Sequence, residues 1–246
     1  MRVGLEVQAV LWGARARLVM ARVLGVDACK GGWVGISNAP QPRGYFAPTI
    51  AEIVELADAD GAVDVVGIDI PIGLPVDGVR QADVLARAAV GRLSSSVFPT
   101  PVRDALVAAT HADAVTVSIE RTGKGLSIQS YGLRTRILEV DAYVRHTART
   151  VIEVHPEVTF ARLAGRALST RKSTWAGIEE RRLLLARVGI TVPAAIGVAG
   201  TRAGVDDVLD AAAVAWTAQR YAEGVAVSLP ATPEDFGDGP TGAIWA

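Results

Sequence analysis

Cysteine is nearly missing from this chain: Cys29 is the one residue of its kind in 246. An intrachain disulfide is therefore excluded, as is a zinc site built from several thiolates. A reducing, cytoplasmic setting is the expectation. Lysine is almost as scarce, with only Lys30, Lys124 and Lys172, and the formal net charge is −1. Neither a polybasic nucleic-acid coat nor an acidic tail can then be the dominant feature, although a local basic patch can sit on a neutral surface. No run of about 18 apolar residues occurs, so no helical membrane span is expected. No Gly-Lys-Ser/Thr triplet occurs, which excludes a Walker-type phosphate loop. What is present is apolar: half of the residues are hydrophobic, ample for a core. The length suits one large domain or two small ones.

The N-terminus carries a short apolar run from Val7 to Gly13, with Glu6 before it and Arg15, Arg17 and Arg22 after it. These are the wrong flanks for a cleaved signal peptide. Residues 1–22 are expected to be an extension outside the fold, with Met20 a candidate natural start, and 23–246 a single domain.

Residues 23–27, 33–37 and 43–48 are short apolar runs joined by tight turns, which predicts an antiparallel meander. Thr49 is placed to cap a helix with Ile50, Ile53, Val54 and Ala57 on one face. Residues 63–69 are almost continuously apolar, as in a strand buried on both faces of a parallel sheet. Helices are expected over 79–90, 103–109, 112–121 and 127–146, and the 94–146 region suggests an insertion capping the sheet. A last strand is expected at 151–154, then helices near 157–164, 175–188 and 206–223, then an irregular tail from Leu229. This order is that of an α/β, ribonuclease H-like fold: a mixed five-stranded sheet in order 3-2-1-4-5, flanked by helices. In it the first and fourth strands are neighbours, and ligands bind beyond the carboxyl ends of the strands.

Asp27 and Asp69 end those two strands. Side-by-side carboxylates repel, and a divalent cation is the usual neutraliser. Glu153 stands in an otherwise apolar strand, where it is costly unless paired or ligating. Alternation puts Glu153 and His155 on one face, and Ile152 and Val154 on the other. Glu157 falls in a first helical turn, where the dipole favours an anion. Asp206 suits a helix cap and Asp207 the dipole, whereas Asp210 lies beyond the first turn and has no such account. Arg80, Arg87, Arg92 and Arg103 flank the 94–101 loop. Arg171 and Lys172 precede a helix. Phosphate contacts are conceivable for both groups, a solvated surface being the plainer reading of any one arginine. Trp33, Trp175 and Trp216 are expected in the core.

Seven segments then occur in a fixed order: 25–33, 68–75, 96–103, 125–129, 139–141, 153–157 and 206–212. Together they resemble the bacterial family catalogued as domain of unknown function 429, described as a predicted ribonuclease H-like nuclease. Ala28 and the Arg171-Lys172-Ser173 run depart from the family's usual pattern, but neither departure replaces a carboxylate. The resemblance implies a metal-binding acidic cluster: Asp27 and Asp69 as the core pair, Glu153 as third acid, and Asp207 or Asp210 from the late helix. The expectation is a hydrolase of nucleic-acid phosphodiesters using two Mg²⁺ or Mn²⁺ ions bridged by Asp27. Arg103, Gln129, His155 and Lys172 are the expected substrate contacts. A phosphotransferase of the related sugar-kinase and actin-like core, and a non-catalytic binding module, are the rival expectations.

Overall fold

A computed structural model describes residues 21–38, 41–237 and 239–246. The expected N-terminal extension therefore lies outside the described residues, apart from its last two. Of those, Arg22 belongs to the fold. Its backbone N–H donates to Asp64 at 2.8 Å and its guanidinium to the Ala57 carbonyl at 2.7 Å and the Tyr45 hydroxyl at 2.9 Å.

Strands β1 (Val23–Cys29), β2 (Gly32–Ser37) and β3 (Arg43–Ala47) form the antiparallel meander. Helix α1 (Ile50–Asp58) follows. Thr49 and Glu52 close a reciprocal capping box, and the buried residues are the four that the periodicity selects. Strand β4 (Val65–Ile68) lies parallel to β1, and β5 (Thr150–Val154) parallel to β4. Between β4 and β5 run α2 (Gln81–Val90), a 3-10 turn (Gly91–Ser96), α3 (Arg103–Val107), α4 (His111–Thr122), α5 (Ile128–Gly132) and α6 (Arg134–His146). The single helix expected over 127–146 is thus two, broken at Leu133. After β5 come α7 (Pro156–Ala164), α8 (Trp175–Arg187), the short α9 (Ala199–Arg202) and α10 (Val205–Ala222).

The expected irregular tail is the main correction. Residues from Ser228 form β6 (Ser228–Glu234) and β7 (Gly242–Trp245), and β7 joins the sheet parallel to β5. The sheet is mixed and seven-stranded, in order β3-β2-β1-β4-β5-β7-β6, not the five-stranded sheet expected. Two prolines, Pro230 and Pro233, mask β6 in the sequence. It tolerates them because it is an edge strand, where a missing N–H breaks no central ladder.

Helices cover both faces. On one, Ile53 and Val54 of α1 and Ile137 and Val140 of α6 pack with Leu24, Val26, Val66 and Ile68. So α6, within the expected insertion, is part of the main core, while α3, α4 and α5 build a small core of their own around Val102, Leu126 and Tyr131. On the other face, Val214, Ala215 and Ala218 of α10 meet Val23, Val65, Ile152 and Val154. There α10 lies almost against the backbone of the sheet. A Cβ added at Gly25 would stand 2.1 Å from the Ala215 nitrogen, and one at Gly67 2.8 Å from Val214 Cγ1. Among the described residues, no helix is long and apolar enough to cross a membrane.

Candidate metal centre

The site follows from strand alternation. Gly25 and Gly67 face α10, so Asp27 and Asp69, each two residues further on, face α10 as well. Residue pairing brings the two acids side by side, Val26 standing opposite Ile68 and the Asp69 N–H donating to the Val26 carbonyl at 2.9 Å. On α10, Asp210 sits one turn before Val214 and thus at the strand ends. One carboxylate oxygen from each of Asp27, Asp69 and Asp210 falls within 4.8 Å of the others.

Electrostatics marks the cluster as under-neutralised. Burial, then the neighbouring Asp69 and Asp210, hold the Asp27 carboxyl well above the usual range. Burial pushes Asp69 up to about 7, with Lys172 opposing and Glu153 and Glu157 reinforcing. Burial also lifts Asp210 to about 7, against the attraction of Lys172. The Lys172 ammonium bonds to Asp210 Oδ2. Burial alone would lower its pKa, but Asp210 beside it more than reverses that. The second oxygen, Asp210 Oδ1, is buried and has no hydrogen-bond partner. A buried carboxylate oxygen without a donor is expensive, and a hard cation is its natural partner. The residues present therefore fit Mg²⁺ or Mn²⁺. Beside the cluster opens a cleft of about 180 Å³, whose walls include Asp27, Asp69, Phe98, Leu133 and His155.

The other expected site residues stand elsewhere. Glu153 pairs with Ile68 and so faces away from α10. Both its oxygens are taken by the buried Arg80, at 2.7 and 2.8 Å, and one also accepts from the Ile72 N–H at 2.7 Å. It reaches the cleft wall but is not brought into the acidic triad. Arg80, in turn, is no surface phosphate contact. It is buried between Glu153 and Asp83, and Asp83 holds the Thr100 N–H at 2.7 Å. Asp83 lines the cleft and was not singled out from the sequence; its i, i+3 spacing from Arg80 was the signal.

Asp207 is half-buried and accepts from the Gly204 N–H at 3.1 Å, so it secures the start of α10. Gly204, not Asp206, is the cap residue. Arg103 is committed to Asp141 by two 2.8 Å bonds, where phosphate contact was expected. Gln129 is exposed on α5 and does not line the cleft. His155 does line it: Nε2 lies 3.3 Å from the Ser96 carbonyl oxygen, Nδ1 is buried without a partner, and burial lowers its pKa. Glu157 is held in the first turn of α7, where Arg181 donates to it at 2.6 and 2.8 Å. Trp33 is buried as expected and donates to Glu139 at 3.1 Å. Trp216 is half-buried. Trp175 is 75% exposed, contrary to expectation, because it opens α8 on the solvent side. Cys29 neighbours the site, but burial pushes its thiol up to about 11, so it stays protonated near neutral pH.

No curated protein and no solved structure matches this chain. A family model does. The family described as Protein of unknown function (DUF429) matches residues 25–235, a span holding all three acids of the triad, and the chain belongs to that family.

Proposed function

We propose that the chain is a metal-dependent phosphodiester hydrolase acting on nucleic acid. The observation that carries this reading is the convergence of Asp27, Asp69 and Asp210, with one buried oxygen left unpartnered. These three residues would hold Mg²⁺ or Mn²⁺. Such an ion supplies a water of lowered pKa and positive charge at the reacting phosphate. Asp27 and Asp69, fixed on adjacent strands, orient the reacting centre at the mouth of the cleft. Asp210 completes the set from a helix held close by Gly25. Lys172 neutralises Asp210 while the site awaits a cation and is placed to meet phosphate charge once released. With Glu153 engaged by Arg80, the triad suits one ion rather than the bridged pair expected from the sequence. The open strand ends and the ribonuclease H-like order of β3-β2-β1-β4-β5 support the nucleic-acid assignment by analogy.

Calorimetric titration with Mn²⁺ tests the site without a choice of substrate. Wild type should bind, and Asp27→Asn should not, while remaining folded by circular dichroism. Wild type should then cleave nucleic acid with Mn²⁺ where Asp27→Asn does not. A fully active Asp27→Asn protein would end the proposal.

A further inference from the structure

Trp175 has the most exposed large apolar side chain among the described residues. It is not carried on a loose loop. Thr174 caps α8 by accepting from the Gly177 N–H at 3.1 Å, and the Thr174 N–H donates to the Arg171 carbonyl at 3.0 Å. Gly177 presses on that same carbonyl so closely that an added Cβ would stand 2.0 Å from it. The indole is thus carried on a hydrogen-bonded turn.

The same turn supplies Lys172, which bonds to Asp210 of the triad. Trp175 lies three positions after Lys172, so their Cα atoms are at most about 11 Å apart. Arg171 is exposed on this turn, and the first turn of α8 carries no acid. The local surface therefore combines a flat aromatic face with the positive charge of Arg171, and the Lys172 bond to Asp210 ties this turn to the acidic cluster. Basic groups attract a phosphate backbone whatever its sequence, and an aromatic face accepts any base that is not already stacked. In a duplex both faces of each internal base are covered, so the indole selects unpaired bases.

We infer that Trp175 is a stacking platform for single-stranded nucleic acid, whose backbone crosses Arg171 and Lys172 toward the triad. This rests on nucleic acid being the substrate. Trp175 is a specificity-determining residue here, not a catalytic one.

The test measures fluorescence polarisation of a labelled oligothymidylate and of a blunt two-stranded duplex with the full chain in EDTA, where a metal-dependent nuclease is silent. Trp175→Ala should weaken oligothymidylate binding roughly tenfold, and Trp175→Phe should keep most of the affinity, as loss or retention of one stacked base predicts. Duplex binding should barely move. Wild-type indole emission should change on adding the oligothymidylate, and that change should be lost in Trp175→Phe. Unchanged affinity in Trp175→Ala overturns the inference, as does an equal loss for both probes. If wild type still cleaves nucleic acid with Mn²⁺ in those cases, the nuclease reading stands without it. Sedimentation showing that Trp175→Ala dissociates a dimer overturns it in favour of an interface between copies. Wild type that neither binds nor cleaves any nucleic acid removes both.

Discussion

Glu153 and Asp210 are both buried acids, yet their surroundings differ. Glu153 has two strong donors in the Arg80 guanidinium and a third in the Ile72 N–H, so its oxygens are satisfied. Asp210 has one lysine and an oxygen with nothing. That contrast separates a structural ion pair from a candidate ligand. Removing one partner of a buried pair costs about 3–5 kcal/mol when the other charge is left stranded, but Arg80 keeps Asp83 as a second partner. Glu153→Gln should therefore lower stability by less than that in urea denaturation. Its Mn²⁺ affinity, once folded, should stay close to wild type. A large loss of Mn²⁺ affinity at unchanged stability would instead make Glu153 a ligand. From the sequence alone both were expected ligands, Glu153 as a costly acid in an apolar strand and Asp210 as an acid beyond the first turn of a helix.

At the level of elements, the site depends on how near α10 comes to the sheet. Gly25 permits contact between the helix backbone and β1, and Gly67 admits Val214 beside β4. A methyl group at Gly25 meets backbone atoms of α10 that cannot move without the whole helix. Overpacking in cores commonly costs about 1–3 kcal/mol, and Gly25→Ala should exceed that. Gly67→Ala, whose nearest contact is a side chain, should fall within it. Thermal unfolding of the two variants checks the order; a Gly25→Ala protein as stable as wild type would mean that α10 is free to shift. The elements themselves were largely legible. The Thr49 cap, the α1 face and the β1, β4 and β5 runs all follow from local pattern. The tail strands did not, since Pro230 and Pro233 disguise an edge strand whose partner is distant in sequence. Trp175 also misled, because aromatic character alone does not tell which side of a helix start faces water.

Over the whole molecule, the acidic cluster opposes folding as it ionises. In the folded chain Asp69 and Asp210 titrate near 7 and Asp27 is raised further than a free carboxyl, whereas unfolded carboxyls titrate near about 4. Between those values the folded state binds more protons than the unfolded one, so these groups make stability fall as pH rises through that window. Asp141 acts the other way: burial alone would raise it, but Arg103 and Arg145 pull it below the usual range, and its contribution is lost only in stronger acid. In EDTA the melting temperature should thus be lower at pH 8 than at pH 5.5. Mn²⁺ needs the ionised carboxylates, and should raise melting more at pH 8 than at pH 5.5. Equal shifts at both pH values would dissociate the cation from the cluster.

The sequence by itself determined that β1 and β4 end in acids, that glycines stand two residues before each, and that a late alanine-rich helix carries Asp210. Those are local facts of pattern and spacing. Only the tertiary structure decided that Asp210 completes the cluster and Glu153 does not. The reason is register: pairing Glu153 with Ile68 turns its side chain to the face away from α10, where Arg80 holds it. A one-residue difference in strand pairing reverses the face, and no local signal in either strand specifies it.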